Sequence, residues 1–512
     1  MMRNQHTLWK TVAVSLTVAL FGHLGMVGCS SESPKRQTHS FERTWESLQQ
    51  YECPTWFRDA KFGIYAHWGP YCVPAFPTTT DWYSHHMYQP DHPIHEYHIK
   101  TYGPVSEFGY KELVPLFTAK KFDADAWAEL YVEAGARFAG PVAEHCDGFA
   151  FWDSALTEWD SVDKGPKRDV VAEMEKAIRS RDLKFLTSFH HHWKWGWYAT
   201  PINEADCLDS RYSGLYGPPL PVGAWKFANP TVQPDAAFCA EWRDKVKEVV
   251  DHYHPDLIWF DNRMHILDES YRIEMAAHYY NQAAARNQTV VLTYKGEDIA
   301  DGAGVIDLER NRMPDIYPEP WLTDTSIARN SWSYCPELDY YSTTRLIHDL
   351  VDIVSKNGCM LLNIAPHPDG TIPAEQKERL RGMGAWLRRN GEAIYGARPW
   401  KVFGEGPTKT PEGHLSDLQF NGFVAEDIRF TQAQDGSALY TIIFGWPQNS
   451  RLRVRSLHPD HGKVTSIQLL GSTVVLNWKQ NEHGLDISLP DKAPGKHAFV
   501  FRIKGKGLTQ SQ

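Results

Sequence analysis

A chain of 512 residues, 42% of them hydrophobic, can bury a large core and is longer than most single domains, so two domains are expected. The formal net charge of -10, with no long basic run, argues against a nucleic-acid partner, which would be held by counterion release. Twenty Trp, 23 Tyr and 23 Phe raise aromatics to 13%. A core absorbs most of them, but their flat amphipathic faces also suit a ligand with alternating apolar and polar surfaces, such as a sugar.

At the amino terminus Lys10 precedes the apolar run TVAVSLTVALFGHLGMVG, which ends at Cys29 and gives way to polar SSESPKRQTHS. This is the pattern of a signal peptide over residues 1–28. The stretch MVGCSS resembles a bacterial lipobox, whose cysteine is lipidated and becomes the new amino terminus. Residues 29–45 then read as a linker, and the exported chain is expected in the periplasm or on the outer surface, held by acyl chains at Cys29 with no spanning helix. An ordinary secretory signal with an incidental cysteine is the alternative. The other cysteines (Cys53, Cys72, Cys146, Cys207, Cys239, Cys335 and Cys359) are odd in number and thinly spread, which does not read as a disulfide framework.

From about residue 60 to 366 short apolar runs alternate with amphipathic helical patterns, as in a parallel sheet with helical crossovers. Trp127, Leu130, Tyr131 and Ala134 place one apolar face on a helix over 124–136, and Leu346, Ile347, Leu350, Val351 and Val354 do the same over 343–357. Strands are expected at KFGIYAHW, FAGPVAEH, KFLTSFHH, LIWFD, TVVLTY, GVIDLE and CMLLNIAP, with an eighth, poorly marked, near 325–334. These runs end in His67, His145 with Asp147, His190 with His191, Asp261, Lys295, Glu309 with Arg310, and Asn363. A (β/α)8-like barrel over 46–399 places all those ends on one rim, where barrel enzymes keep their chemistry. After Trp400 the runs ALYTIIFGWP, RLRVRSL, VTSIQLLG, VVLNWKQ, GLDISLP and HAFVFRIKG have no helical period between them. Residues 400–512 are therefore expected to form a C-terminal antiparallel β-sandwich packed against the barrel, with sugar binding as a further possibility.

Asp261 is the foremost candidate for chemistry. It follows Leu257-Ile258-Trp259-Phe260, so the carboxylate sits at a strand mouth, partly buried beside a large aromatic, where an ionised acid is costly without a partner or a function. Retaining glycoside hydrolysis needs a second carboxyl group about 5 Å away. Barrel position favours Glu309, with Glu319 and Glu297 as alternatives. The histidines His67, His145 and His190-His191-His192, with Cys146, could hold zinc. Neutral imidazoles bonding sugar hydroxyls are the favoured reading, and no metal or cofactor is expected.

Long blocks then carry a resemblance. WFRDAKFGIYAHWGPYCVPAF, DWYSHHMY, AEHCDGFAFWDSALTEWDSVDKGPKRDVV, PDLIWFDN, LVDIVSKNGCMLLNIAPHPDGTIP and NGEAIYGARPW resemble, in order over about residues 50 to 400, the alpha-L-fucosidases of glycoside hydrolase family 29. The resemblance implies a barrel followed by a β-sandwich, a retaining mechanism without metal, and a fucosylated oligosaccharide or polysaccharide as partner. It also implies Asp261 as nucleophile, Trp259 as pocket wall, and His67 and His145 as readers of fucose hydroxyls. Asp81 and Trp82 match the family's EWYS block with a shorter acid, and Cys146 replaces the second histidine of HHDG. The family's usual Trp-Glu pair would fall at Trp321-Leu322, so its proton donor does not carry over. Glu309 is thus the expected acid/base, with Arg310, Trp321 and His190 as further pocket residues. The remaining alternatives are a metal-dependent barrel hydrolase and a fucose-binding surface protein whose catalysis has decayed.

Overall fold

The computed structural model describes residues 40–509 except 225, 227 and 228. The expected signal peptide and Cys29 lie outside the described residues.

Eight parallel strands form the first domain: β1 (Phe62–Ala66), β2 (Phe138–Glu144), β3 (Lys184–Phe189), β4 (Leu257–Phe260), β5 (Val291–Tyr294), β6 (Val305–Ile306), β7 (Trp321–Ser326) and β8 (Gly358–Ile364). They pair in the order β6-β5-β4-β3-β2-β1-β8-β7. The two ends meet through the Leu308 N–H donating to the Leu322 carbonyl at 3.0 Å and the Arg310 N–H donating to the Asp324 carbonyl at 2.8 Å, which closes the barrel. Seven strands fall on the expected runs. The eighth starts at Trp321, ahead of the expected 325–334, because its sequence WLTDTS alternates: Asp324 and Ser326 are buried polar residues that interrupt the apolar run marking the other strands.

Helices Ala124–Ala134, Val170–Arg179, Ala236–Tyr253 and Glu269–Ala285 lead into β2, β3, β4 and β5, and Thr343–Ser355 leads into β8. Each begins where Asp123, Asp169, Asp235, Asp268 or Ser342 accepts a backbone N–H of the first turn, satisfying a donor that the helix leaves open. Among the described residues no helix bridges β5 to β6 or β6 to β7. At that flank residues 415–417 of the second domain bond to Glu309, Arg310 and Asn311 after β6.

The second domain has two antiparallel sheets. Strands β9 (Ala397–Glu405), β10 (Ile428–Ala433), β11 (Leu439–Ile443), β13 (Lys463–Leu469) and β16 (Phe499–Lys506) make a five-stranded sheet, while β12 (Arg451–Val454), β14 (Asn477–Asn481) and β15 (Gly484–Ser488) make a three-stranded one. Trp400, Phe430, Leu439, Val454, Leu485 and Phe501 pack between them. Strands β9 and β10 were absent from the expected set. The segment joining them, 406–427, runs back to the mouth of the barrel.

Helix Thr343–Ser355 is buried on all sides from Arg345 to Ser355, because the barrel covers one face and the second domain the other. Its charges are matched: Arg345 pairs with Asp349 at 2.6 Å and with Asp417 at 3.0 Å, and Asp352 pairs with Arg429 of β10 at 2.6 Å. Arg312 also contacts Asp349 and Asp417. Removing one member would leave a buried charge uncompensated, so this network fixes the 406–427 segment against the barrel.

Candidate active site

The carboxyl ends of the strands surround a cavity of about 280 Å³. His67 follows β1, and the Asn363 side-chain oxygen on β8 accepts both its backbone N–H and its Nδ1–H at 2.8 Å. An amide oxygen only accepts, so Nδ1 carries the proton and Nε2 is left as an acceptor. The rings of His67, His145 and His190 lie 4.6 to 5.2 Å apart, centroid to centroid. Burial holds the pKa of His67 and His145 well below the ordinary histidine value, and His190 beside them adds to this, so both are neutral. Nδ1 of His145 and Nε2 of His190 have no hydrogen-bond partner among the described residues. Such atoms suit ligand hydroxyls.

Acidic groups face the imidazoles around one ammonium. Lys295, immediately after β5, has its Nζ 3.3 Å from Asp261, 2.9 Å from Glu309, 3.3 Å from Asp324 and 3.7 Å from Asp307. Asp261 and Glu309 thus share one nitrogen, so their nearest oxygens are no more than about 6 Å apart, closer than the separation of about 6.5 Å or more that an inverting pair leaves for water. Burial raises the Asp261 pKa, but the Lys295 ammonium and the His190 ring, 3.4 Å away, outweigh it and hold the carboxyl well below its usual range. The Asn262 N–H donates to Asp261 at 2.8 Å. For Glu309 burial prevails over Lys295, and with Asp324 and Asp261 nearby its pKa is pushed up to about 7. Asp307 is also held well above its ordinary value, by burial and then by Asp324, while it accepts the Trp259 indole N–H at 3.1 Å. One carboxylate ready to attack therefore stands beside one carboxylic acid ready to give a proton.

Among the described residues two sets of side chains have the geometry to hold a metal ion: His67, His145 and His190, and Cys146, His190 and Asp261, with donor atoms within 4.8 Å. In the second set Lys295 already supplies the positive charge at Asp261. In the first, His67 offers only Nε2, because its Nδ1 is tied to Asn363.

Asp261, Glu309, His67, Asp81, Trp82, His145, His190, Trp259 and Arg310 all line the cavity. Asp81 does so as a clamp: its carboxylate accepts the Trp332 N–H at 3.0 Å and the Ser333 N–H at 2.7 Å, holding the loop after β7. Trp321 is a correction. It begins β7, pairs with Gly358 at the opposite end of the barrel, and donates its indole N–H to the Lys356 carbonyl at 2.9 Å. A Cβ on Gly358 would lie 2.6 Å from the Trp321 ring, so Trp321 is a floor residue. The aromatic wall expected of it is made by Trp332, 5.4 Å from the His67 ring and 4.4 Å beneath the Arg310 guanidinium. Glu319 is exposed and outside the cavity lining, and Glu297 lines a neighbouring cavity.

Comparison with known proteins agrees with this geometry. The alpha-L-fucosidase family model matches residues 28–392, and the model of the alpha-L-fucosidase C-terminal domain matches 420–504. The chain belongs to the alpha-L-fucosidase family. It is 31% identical over 467 residues to human plasma alpha-L-fucosidase, covering 89% of this chain and 90% of that one. Rat tissue alpha-L-fucosidase is 29% identical over 483 residues, 93% of this chain and 94% of its own. Thermotoga maritima alpha-fucosidase, solved in complex with fucose, superposes with a TM-score of 0.69 at 28% identity, over 90% of this chain and 99% of that chain.

Within this fucosidase scaffold, sequence reasoning missed Trp332, Asp324 and His414 in the cavity wall. Asp324 was recoverable from the alternation of WLTDTS. Trp332 sits in a loop with no periodic signal. His414 reaches the cavity from the second domain, a contact across some hundred residues of chain that no local pattern marks.

Proposed function

We infer that the protein is an exo-acting, retaining alpha-L-fucosidase that releases terminal alpha-L-fucosyl residues from glycans through a covalent glycosyl-aspartate. The observation that carries the reading is the pair Asp261 and Glu309 on one ammonium, with their pKa values displaced in opposite directions. In the first step an Asp261 oxygen attacks the anomeric carbon. The bond to the leaving oxygen breaks, and Glu309 gives that oxygen its proton. In the second, Glu309, now ionised, takes a proton from water as the water oxygen attacks the anomeric carbon, and Asp261 leaves as a carboxylate. Lys295 keeps Asp261 ionised before attack and offsets the charge that Glu309 gains. His67, His145 and His190 suit the sugar hydroxyls, and Trp259 and Trp332 offer apolar faces for a 6-deoxy sugar.

The two alternatives from sequence are disfavoured. A decayed binding protein has no need of an acid pair with split protonation, and the Lys295 ammonium already offsets the Asp261 charge that a catalytic metal would be drawn to.

The test is release of nitrophenol from 4-nitrophenyl alpha-L-fucoside by residues 30–512, with and without chelator, beside Asp261→Asn. Chelator-resistant turnover that the substitution abolishes is expected. Turnover that needs zinc, or that survives the substitution, would sink the mechanism. We also propose export and acylation at Cys29, on the strength of the apolar run and MVGCSS. Labelled palmitate should enter the full chain and fail to enter Cys29→Ala; equal labelling of both would rule the anchor out.

A further inference from the structure

Beyond Glu309 lies a second cavity of about 580 Å³, roughly twice the first. Asn229, His265, Glu297, Asp298 and Asn311 line it, and it shares Lys295, Glu309 and His414 with the sugar pocket. The acid of a glycosidase has to stand between the sugar that is cut away and the group that leaves, because its proton goes to the oxygen joining them. Among the described lining residues Glu309 is the one carboxylate common to both spaces.

The shared wall is fixed in place. The Leu415 N–H donates to the Glu309 carbonyl at 3.3 Å, the Asp417 N–H to the Arg310 carbonyl at 2.9 Å, and the Ser416 hydroxyl to the Asn311 side chain at 2.9 Å. Asp417 is held in turn by Arg312 and Arg345. His414, exposed at the head of this segment, is thereby set beside the acid by the second domain.

The lining also indicates what the cavity takes. No Trp, Tyr or Phe is present among its described residues, so recognition rests on hydrogen bonds from the Asn229 and Asn311 amides, the His265 and His414 rings and the Glu297 carboxylate. With burial pushing Asp307 and Glu309 toward their protonated forms, Glu297 and Asp298 balance Arg263 and Lys295, so the lining carries no net charge to attract an ionic guest. We propose that this cavity is the leaving-group site of the enzyme, that it takes an uncharged oligosaccharide portion of two or more sugars, and that His414 of the C-terminal domain forms its wall beside Glu309. The proposal rests on the fucosidase reading.

The experiment compares kcat/KM for 2′-fucosyllactose with that for 4-nitrophenyl alpha-L-fucoside in the full chain and in Asn229→Ala, Glu297→Ala and His414→Ala. Asn229 and Glu297 are exposed, so their variants should keep the parent melting temperature. The ratio is expected to fall by about tenfold in each variant. A sulfated fucosyllactose should be cut about tenfold more slowly than the neutral one, and lactose should inhibit hydrolysis of the aryl fucoside competitively. Ratios unchanged in all three variants would overturn the leaving-group site, as would a lack of inhibition by lactose. Equal rates on sulfated and neutral trisaccharides would overturn its preference for uncharged groups. A parent enzyme inert toward the aryl fucoside would instead overturn the fucosidase reading itself.

Discussion

The two halves of the barrel are built differently. From β1 to β4 the strands alternate with capped helices and end in His67, His145, His190 and Asp261. From β5 to β7 there are no intervening helices among the described residues, β6 is only Val305–Ile306, and this half carries Lys295, Asp307, Glu309 and Asp324. The first half presents the neutral imidazoles of His67 and His145, with His190 beside them, and the carboxylate proposed to attack, groups that need rigid placement on well-packed strands. The second brings three carboxylates, joined by Asp261 of the first, around one lysine, and residues 415–417 of the second domain bond to the stretch after β6. Under the proposed mechanism the difference separates tasks: the regular half reads the sugar, and the charged half manages protons.

The largest effect is expected where the halves meet. Asp261→Asn removes the nucleophile, and turnover of any fucoside should drop by about ten-thousandfold or more with the melting temperature little changed. Next comes Glu309→Gln, which should cost about a hundredfold to ten-thousandfold on an oligosaccharide and far less on a nitrophenyl leaving group that departs without a proton. The pH profile checks the same residue. If Glu309 is the acid it works in its protonated form, and burial pushes its pKa up to about 7, so kcat/KM should be full below that value and fall as pH rises through it. The alkaline limb should appear on the oligosaccharide, whose leaving oxygen needs the proton, and vanish from the residual activity of Glu309→Gln on that substrate. A limb that persisted would assign the proton to another group.

Lys295→Met tests the charged half as a unit. It leaves Asp261, Glu309, Asp307 and Asp324 buried together without their cation. Breaking a buried pair from one side costs about 3–5 kcal/mol, which urea unfolding would register along with a lost kcat. A variant as stable as the parent would show that the four acids share protons well enough to need no cation. In the regular half, His67→Ala should act on sugar binding and positioning instead. One lost hydrogen bond to a buried partner is worth about 1–3 kcal/mol, a tenfold to hundredfold loss in kcat/KM with the pH limb unmoved.

Legibility in the sequence followed the same division. Strands β1 to β4 and β8 are continuous apolar runs between capped helices, so their ends, and with them His67, His145, His190, Asp261 and Asn363, could be placed from pattern alone. Strand β6 is only Val305–Ile306, yet GVIDLE marked Glu309 because its acid ends an apolar run. Strand β7 was displaced and Trp321 misassigned because Asp324 and Ser326 are polar residues facing a polar interior, which defeats a hydrophobicity pattern. Trp332 and His414 were invisible for a different reason: a loop and a distant domain place them, and neither is encoded in local periodicity.

The smallest effect should come from Cys146, which stands in the regular half where the family's block has a second histidine. The thiol is buried, and its pKa is raised well above the ordinary cysteine value by that burial and then by Asp261 and Asp147. It is therefore protonated at neutral pH, a weak hydrogen-bond donor and a poor nucleophile. Cys146→Ala should change kcat/KM on the aryl fucoside by less than about threefold, since a weak donor has little hydrogen-bond energy to lose. Iodoacetamide should inactivate the parent slowly at pH 7, because alkylation needs the thiolate. A thirtyfold loss in Cys146→Ala, or rapid alkylation that substrate prevents, would mean that the thiol touches the sugar directly. The recognition assigned to three imidazoles would then belong to four groups.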